Sequence, residues 1–192
     1  LPELLAILIV AIWGMTFIST KVLINSGLLP AQIFSIRFTM AYLGIWIISL
    51  ARGSGRRFFS ATLKDELIFI LLGLSGGSMY FLAENTALEY TQASNVSFIV
   101  CSTPLITMLL TLLLKKTFRG ELVRKLEPVK VSWKLLAGTL LAIGGMALLL
   151  FSGYALKISP KGDLLAMAAA LCWGIYSILM AQMTEKYGSF FA

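Results

Sequence analysis

Arg37 and Glu84 stand inside long apolar runs, and their chemistry limits what they can do there. A charged side chain at the middle of a membrane helix costs about 2.5–3.5 kcal/mol on insertion scales, so it turns toward protein or water and marks a functional position. Arg37 lies about one and a half turns inside its run, and Glu84 about two turns short of the end of its own, which gives them similar depths. Opposite charges at one depth can pin two helices as an ion pair or form a charge-selective gate. The Glu84 carboxyl can also carry a proton, which would make protons a coupling ion.

Other residues suit the handling of a small-molecule substrate. Trp13 and Trp173 fall near the centres of their runs, away from the interfacial zones where membrane tryptophan is commonest. They can line a cavity for an apolar or aromatic compound or pack as core, and Phe17 and Tyr176 extend the same surface. Tyr80 adjoins a groove of Gly73, Gly76 and Gly77, in which the four-residue spacing of Gly73 and Gly77 favours close helix approach. Asn85 and Asn95 can hydrogen-bond a solute or a neighbouring helix. Pro104 has no amide hydrogen, so a kink is expected where the carbonyl of Val100 is disturbed, with Ser102 and Thr103 placed to rebond the freed groups. Such a kink can act as a gate.

The inventory also excludes chemistry. The chain has no histidine, which removes His-ligated zinc, Ser-His and Cys-His nucleophile pairs and histidine proton relays. It has no G-x-x-x-x-G-K-[ST] loop to cradle a nucleoside triphosphate. No catalytic residue, metal site or cofactor is expected. Cys101 and Cys172 both fall in apolar runs and read as small fillers rather than a disulfide.

Side chains of this kind need helices in lipid to hold them. Of 192 residues, 58% are hydrophobic and 13% charged, and the mean hydropathy is +0.88; a soluble fold of this size could not hide so much apolar surface. Spanning a hydrocarbon core takes roughly 20 apolar residues of helix. Six runs qualify, at 4–20, 32–51, 67–89, 95–114, 135–156 and 164–184. They are too long and too continuous for tilted strands, and in lipid each backbone must satisfy its own hydrogen bonds. The expected fold class is therefore an all-α integral membrane protein, a polytopic bundle of about six transmembrane helices.

The net charge of +7 is placed unevenly. Arg52, Arg56, Arg57 and Lys64 lie between the second and third runs. Lys115, Lys116, Arg119, Arg124, Lys125, Lys130 and Lys134 lie between the fourth and fifth, while the alternate connections hold chiefly Lys21, Lys157 and Lys161. The positive-inside rule then puts the two basic loops and the N-terminus in the cytoplasm. The excess is a topology signal and not a nucleic-acid surface. The first run has no basic flank before it and no small-x-small cleavage pattern before Lys21, so it reads as a retained helix.

The chain matches itself at an offset of 160 residues, which lays Leu4-Leu5-Ala6 on Leu164-Leu165-Ala166, Trp13-Gly14 on Trp173-Gly174, and Glu3 on Asp163. Five helices separate the copies, an odd number, so the two run in opposite directions, as in the inverted-topology repeats of many transporters. On this reading 1–156 is one five-helix repeat and 157–192 begins a second.

Several features then combine: Trp13-Gly14 followed by Lys21, Arg37 early in the second run, and the stretch Asn85 to Ser94 leading into a run with Pro104. A glycine-rich fifth run and the restart Gly162-Asp163-Leu164-Leu165-Ala166 followed by Trp173 complete the set. Together they resemble the drug/metabolite transporter superfamily, in particular its EamA-like members, across almost the whole chain. The resemblance implies a ten-helix carrier of the cell inner membrane, built from two EamA repeats and often exporting amino acids, other metabolites or drugs. The lipid bilayer would surround it, and the missing second repeat or a homodimer partner would complete it. Alternating access around one central site is the expected mechanism. A non-transporting accessory or scaffold subunit is the alternative, and a membrane-embedded enzyme is disfavoured because no nucleophile and base are paired.

Overall fold

The computed structural model describes residues 2–51, 62–117 and 159–188, with isolated positions between 133 and 148. The expected fifth helix, 135–156, falls for the most part outside the described residues, as do Arg52, Arg56 and Arg57 and most of the basic segment after Lys116. Every described element is helical, and five spans are long and apolar enough to cross a membrane.

The ends of these helices follow from local chemistry. Helix α1 (Pro2–Asn25) closes on Gly27, whose φ of 96° suits glycine. Gly27 N donates to Ile24 O (2.9 Å) and Leu28 N to Leu23 O (3.2 Å), a Schellman closure that satisfies the last carbonyls. Helix α2 (Pro30–Ala51) starts with proline at its first position, and Gln32 Oε1 accepts from Leu29 N at 2.9 Å. Lys21 thus belongs to α1, one turn inside a helix longer than its apolar run, and not to the connection.

The third span, Leu63–Tyr90, is continuous but not uniform. Helix α3 (Leu63–Leu72) is capped by Thr62, whose hydroxyl oxygen accepts from Asp65 N. A π-helical stretch, Gly73–Met79, follows, and α4 (Tyr80–Tyr90) completes the span. Three glycines and two serines make up most of the π stretch, where propensity for a regular α-helix is weak. Ser75 Oγ donates to Leu71 O at 2.7 Å.

The fourth span breaks at Ser102, between α5 (Ala93–Cys101) and α6 (Thr103–Thr117). The break lies next to Pro104. Thr103 Oγ1 donates to Val100 O (2.5 Å), taking the place of the amide that Pro104 lacks, and Ser102 Oγ donates to Ile99 O (2.6 Å) beside it. Helix α7 (Pro160–Tyr187) is capped by Ser159, with Pro160 at its start and Asp163 in its first turn.

Helix α7 is central. It packs against α3, the π stretch, α4, α5 and α6, whereas α1 packs mainly on α4 and α5 and α2 mainly on α4. The small residues Ala166, Ala170 and Gly174 of α7 are buried; a Cβ on Gly174 would stand 2.9 Å from Leu110 Cδ1, so α6 approaches closely there. Most large apolar side chains of α1 and α2 point away from the protein, as lipid-facing residues do.

Candidate functional site

A cavity of about 570 Å³ lies between α1, the fourth span and α7. Helix α1 contributes Val10, Trp13, Gly14 and Phe17. The break in the fourth span brings Val100, Cys101, Thr103, Pro104 and Thr107, and α7 adds Trp173 and Ser177. The backbones of α1 and α7 stay apart, and the indoles of Trp13 and Trp173 bridge the gap with ring centroids 5.4 Å apart. Two residues related by the 160-residue offset therefore meet in the cavity wall.

Aromatic contact continues behind that wall. Trp173 lies 4.9 Å from the ring of Tyr176 and 4.8 Å from that of Tyr80. Tyr80 leads to Phe81, and Phe81 to Phe38 of α2. The Tyr176 ring sits over Gly76, so closely that a Cβ there would overlap it. By contrast nothing lies within 4 Å of a Cβ on Gly73, and Gly77 meets only Phe38 at 3.7 Å. The glycine that admits a neighbouring helix is thus Gly76, not the Gly73 and Gly77 pair.

One turn beyond Tyr80 is Glu84, 1% exposed. Tyr80 Oη and Glu84 are near enough to interact, yet neither Tyr80 Oη nor Glu84 Oε2 has a hydrogen-bond partner in bonding geometry. Arg37 lies close enough for its charge to act on Glu84, but it is not an ion-pair partner; its Nη1 donates instead to Thr20 Oγ1 at 3.0 Å. Asn85 is buried beside them, and its Nδ2 donates to Pro30 O at 3.3 Å, tying α4 to the start of α2. The buried Glu84 and Asn85, with the half-buried Arg37, form a polar patch behind the aromatic wall, outside the lining of the cavity.

Asn95 goes elsewhere, to one of two polar clamps that hold the third span against α7. At one end Asn95 Nδ2 donates to Thr91 Oγ1 (3.2 Å), and Thr91 Oγ1 donates to Asp163 Oδ1 (3.2 Å). Lys21 joins them by donating to Leu88 O and, at 2.9 Å, to Thr91 O, carbonyls that α4 leaves open at its C-terminus. At the other end Asp65 Oδ2 accepts from Lys186 Nζ (2.5 Å) and Tyr187 Oη (2.8 Å).

Of the positions picked out by type and spacing, the structure brings Trp13, Phe17, Pro104 and Trp173 into one cavity. It sets Tyr80 and Tyr176 directly behind, and Arg37, Glu84, Asn85 and Asn95 apart from it. Cys101, Thr107 and Ser177 are cavity residues that sequence reasoning did not select. A hydroxyl within an apolar helix usually bonds its own backbone, as Ser177 Oγ does to Trp173 O at 2.8 Å, so its type alone carries little signal.

Comparison with known proteins gives consistent findings. The model of the EamA-like transporter family matches residues 1–123. A protein of Archaeoglobus fulgidus described as an uncharacterized transporter is 28% identical over 193 residues, which cover 96% of this chain and 59% of that protein. The chain thus spans less than two thirds of the length of that curated relative. No solved structure matches.

Proposed function

From the premise that the chain belongs to the EamA-like transporter family, we propose that it forms the first five-helix repeat, 1–156, and the opening helix, from 157, of a carrier that moves a small molecule by alternating access. The cavity between α1, the fourth span and α7 carries this reading. It has a volume within the roughly 300–1,000 Å³ usual for small-molecule sites, and aromatic walls with a few hydroxyls. The meeting of Trp13 and Trp173 supports two repeats joined at a central site. The break beside Pro104, in the cavity wall, supplies a place for the fourth span to bend. The basic segments after the second and fourth spans support a cytoplasmic N-terminus in the cell inner membrane. Export is the direction that the family resemblance favours, and the buried Glu84 carboxyl makes protons the candidate coupling ion.

The test is uptake of labelled amino acids, metabolites and drugs into inverted vesicles that carry the full natural gene product, with and without a pH gradient. Accumulation that Trp173→Ala abolishes supports the carrier reading. Loss of gradient dependence, but not of exchange, in Glu84→Gln would assign coupling to the buried carboxyl. Correctly inserted protein that moves no compound of a broad panel would favour an accessory subunit.

A further inference from the structure

The cavity wall has a donor and charge pattern that narrows what it can hold. Its described lining contains no ionisable side chain apart from the Cys101 thiol. An ionised solute would therefore meet no opposite charge from the described residues of that wall, and burying an unpaired charge is costly. Three hydroxyls line it, but two are engaged by their own helices: Thr103 with Val100 O and Ser177 with Trp173 O. Thr107 Oγ1 is different. It lies beside Gly174, where the absent side chain keeps α7 clear of it, and among the described residues no backbone or side-chain partner holds it. The indole N–H groups of Trp13 and Trp173 likewise have no acceptor among the described residues.

We propose, building on the carrier reading, that the cavity selects an uncharged planar ring bearing a hydrogen-bond acceptor, with the ring against Trp13 and Trp173 and the acceptor facing Thr107. Flat rings match indole faces through offset or edge contacts. An acceptor satisfies donors that otherwise stay unpaired in a low-dielectric wall, which is how a small polar feature gains selectivity in an apolar site.

Cys101 is exposed to the cavity and provides the readout. In the full natural gene product, with Cys101 kept and other cysteines replaced, alkylation of Cys101 by N-ethylmaleimide is timed with three matched rings: nicotinamide, its anionic acid nicotinate and the pyridinium cation 1-methylnicotinamide. Nicotinamide is expected to slow alkylation and the two ions to leave it unchanged. Thr107→Val should weaken protection by about fivefold, the loss of one neutral hydrogen bond. Thr107→Ser should retain it at an unchanged melting temperature, which separates recognition from folding. Equal or better protection by either ion, no protection by nicotinamide, or indifference to Thr107→Val would overturn the proposal. Selective binding by a protein that transports nothing would sink the carrier reading and leave this one standing.

Discussion

At Gly76 the absence of one methyl group decides how closely two helices meet. A Cβ there would overlap the Tyr176 ring, so Gly76→Ala is expected to cost about 1–3 kcal/mol through overpacking. Gly73→Ala, with open space around it, should be neutral or gain a few tenths of a kcal/mol from helix propensity. Thermal unfolding of the two variants in detergent checks the contrast, and equal melting temperatures would contradict it. Spacing pointed to Gly73 and Gly77 because it assumes 3.6 residues per turn throughout, and the wide π turn shifts which glycine faces α7. The same limit applies to Arg37 and Glu84. Sequence identified both as costly charges at similar depth, but the partner of Arg37 is the Thr20 hydroxyl, which no charge pattern reveals. Trp13 and Trp173 stood out because central tryptophans are uncommon in membrane helices, with cavity wall and packed core equally open, and Phe17 only as a continuation of their surface.

Two features belong to whole elements. The π stretch holds one residue more than a regular helix of that length would need, so removing one there lets the span regularise without turning α4. Deletion of Ser78 is expected to leave Tyr80 against Trp173, whereas deletion of Leu82 would rotate the rest of α4 by about 100° and displace Glu84 and Asn85. Folded yield in membranes, measured side by side, should favour the Ser78 deletion. The second feature is the clamp of Asp65 on Lys186 and Tyr187, which joins the start of α3 to the end of α7. Asp65→Lys should expose the end of α7 to protease, and the exchange Asp65→Lys with Lys186→Asp should restore much of the protection. For the five described spans helix existence was legible from apolar length, since lipid permits little else. Helix ends were not: α1 continues past its apolar run to Asn25, and α7 begins at Pro160 and not at Leu164, because caps and glycine turns set those limits.

For the molecule as a whole, the long apolar runs and low charge made the membrane class plain, while nothing in them showed that α7 would occupy the centre. That position has a consequence for how the protein is made. The first four spans emerge from the ribosome well before α7, yet Asp65, Tyr80 and the Gly76 notch all find their partners on α7. Until it arrives, those surfaces meet lipid or an insertion chaperone, and vectorial synthesis does not close the core one hairpin at a time. Nascent chains arrested soon after residue 117 should thus stay protease-sensitive within the third span, and chains long enough to have inserted α7 should become resistant in a single step. Resistance gained gradually from the second span onward would mean that the early helices settle without it.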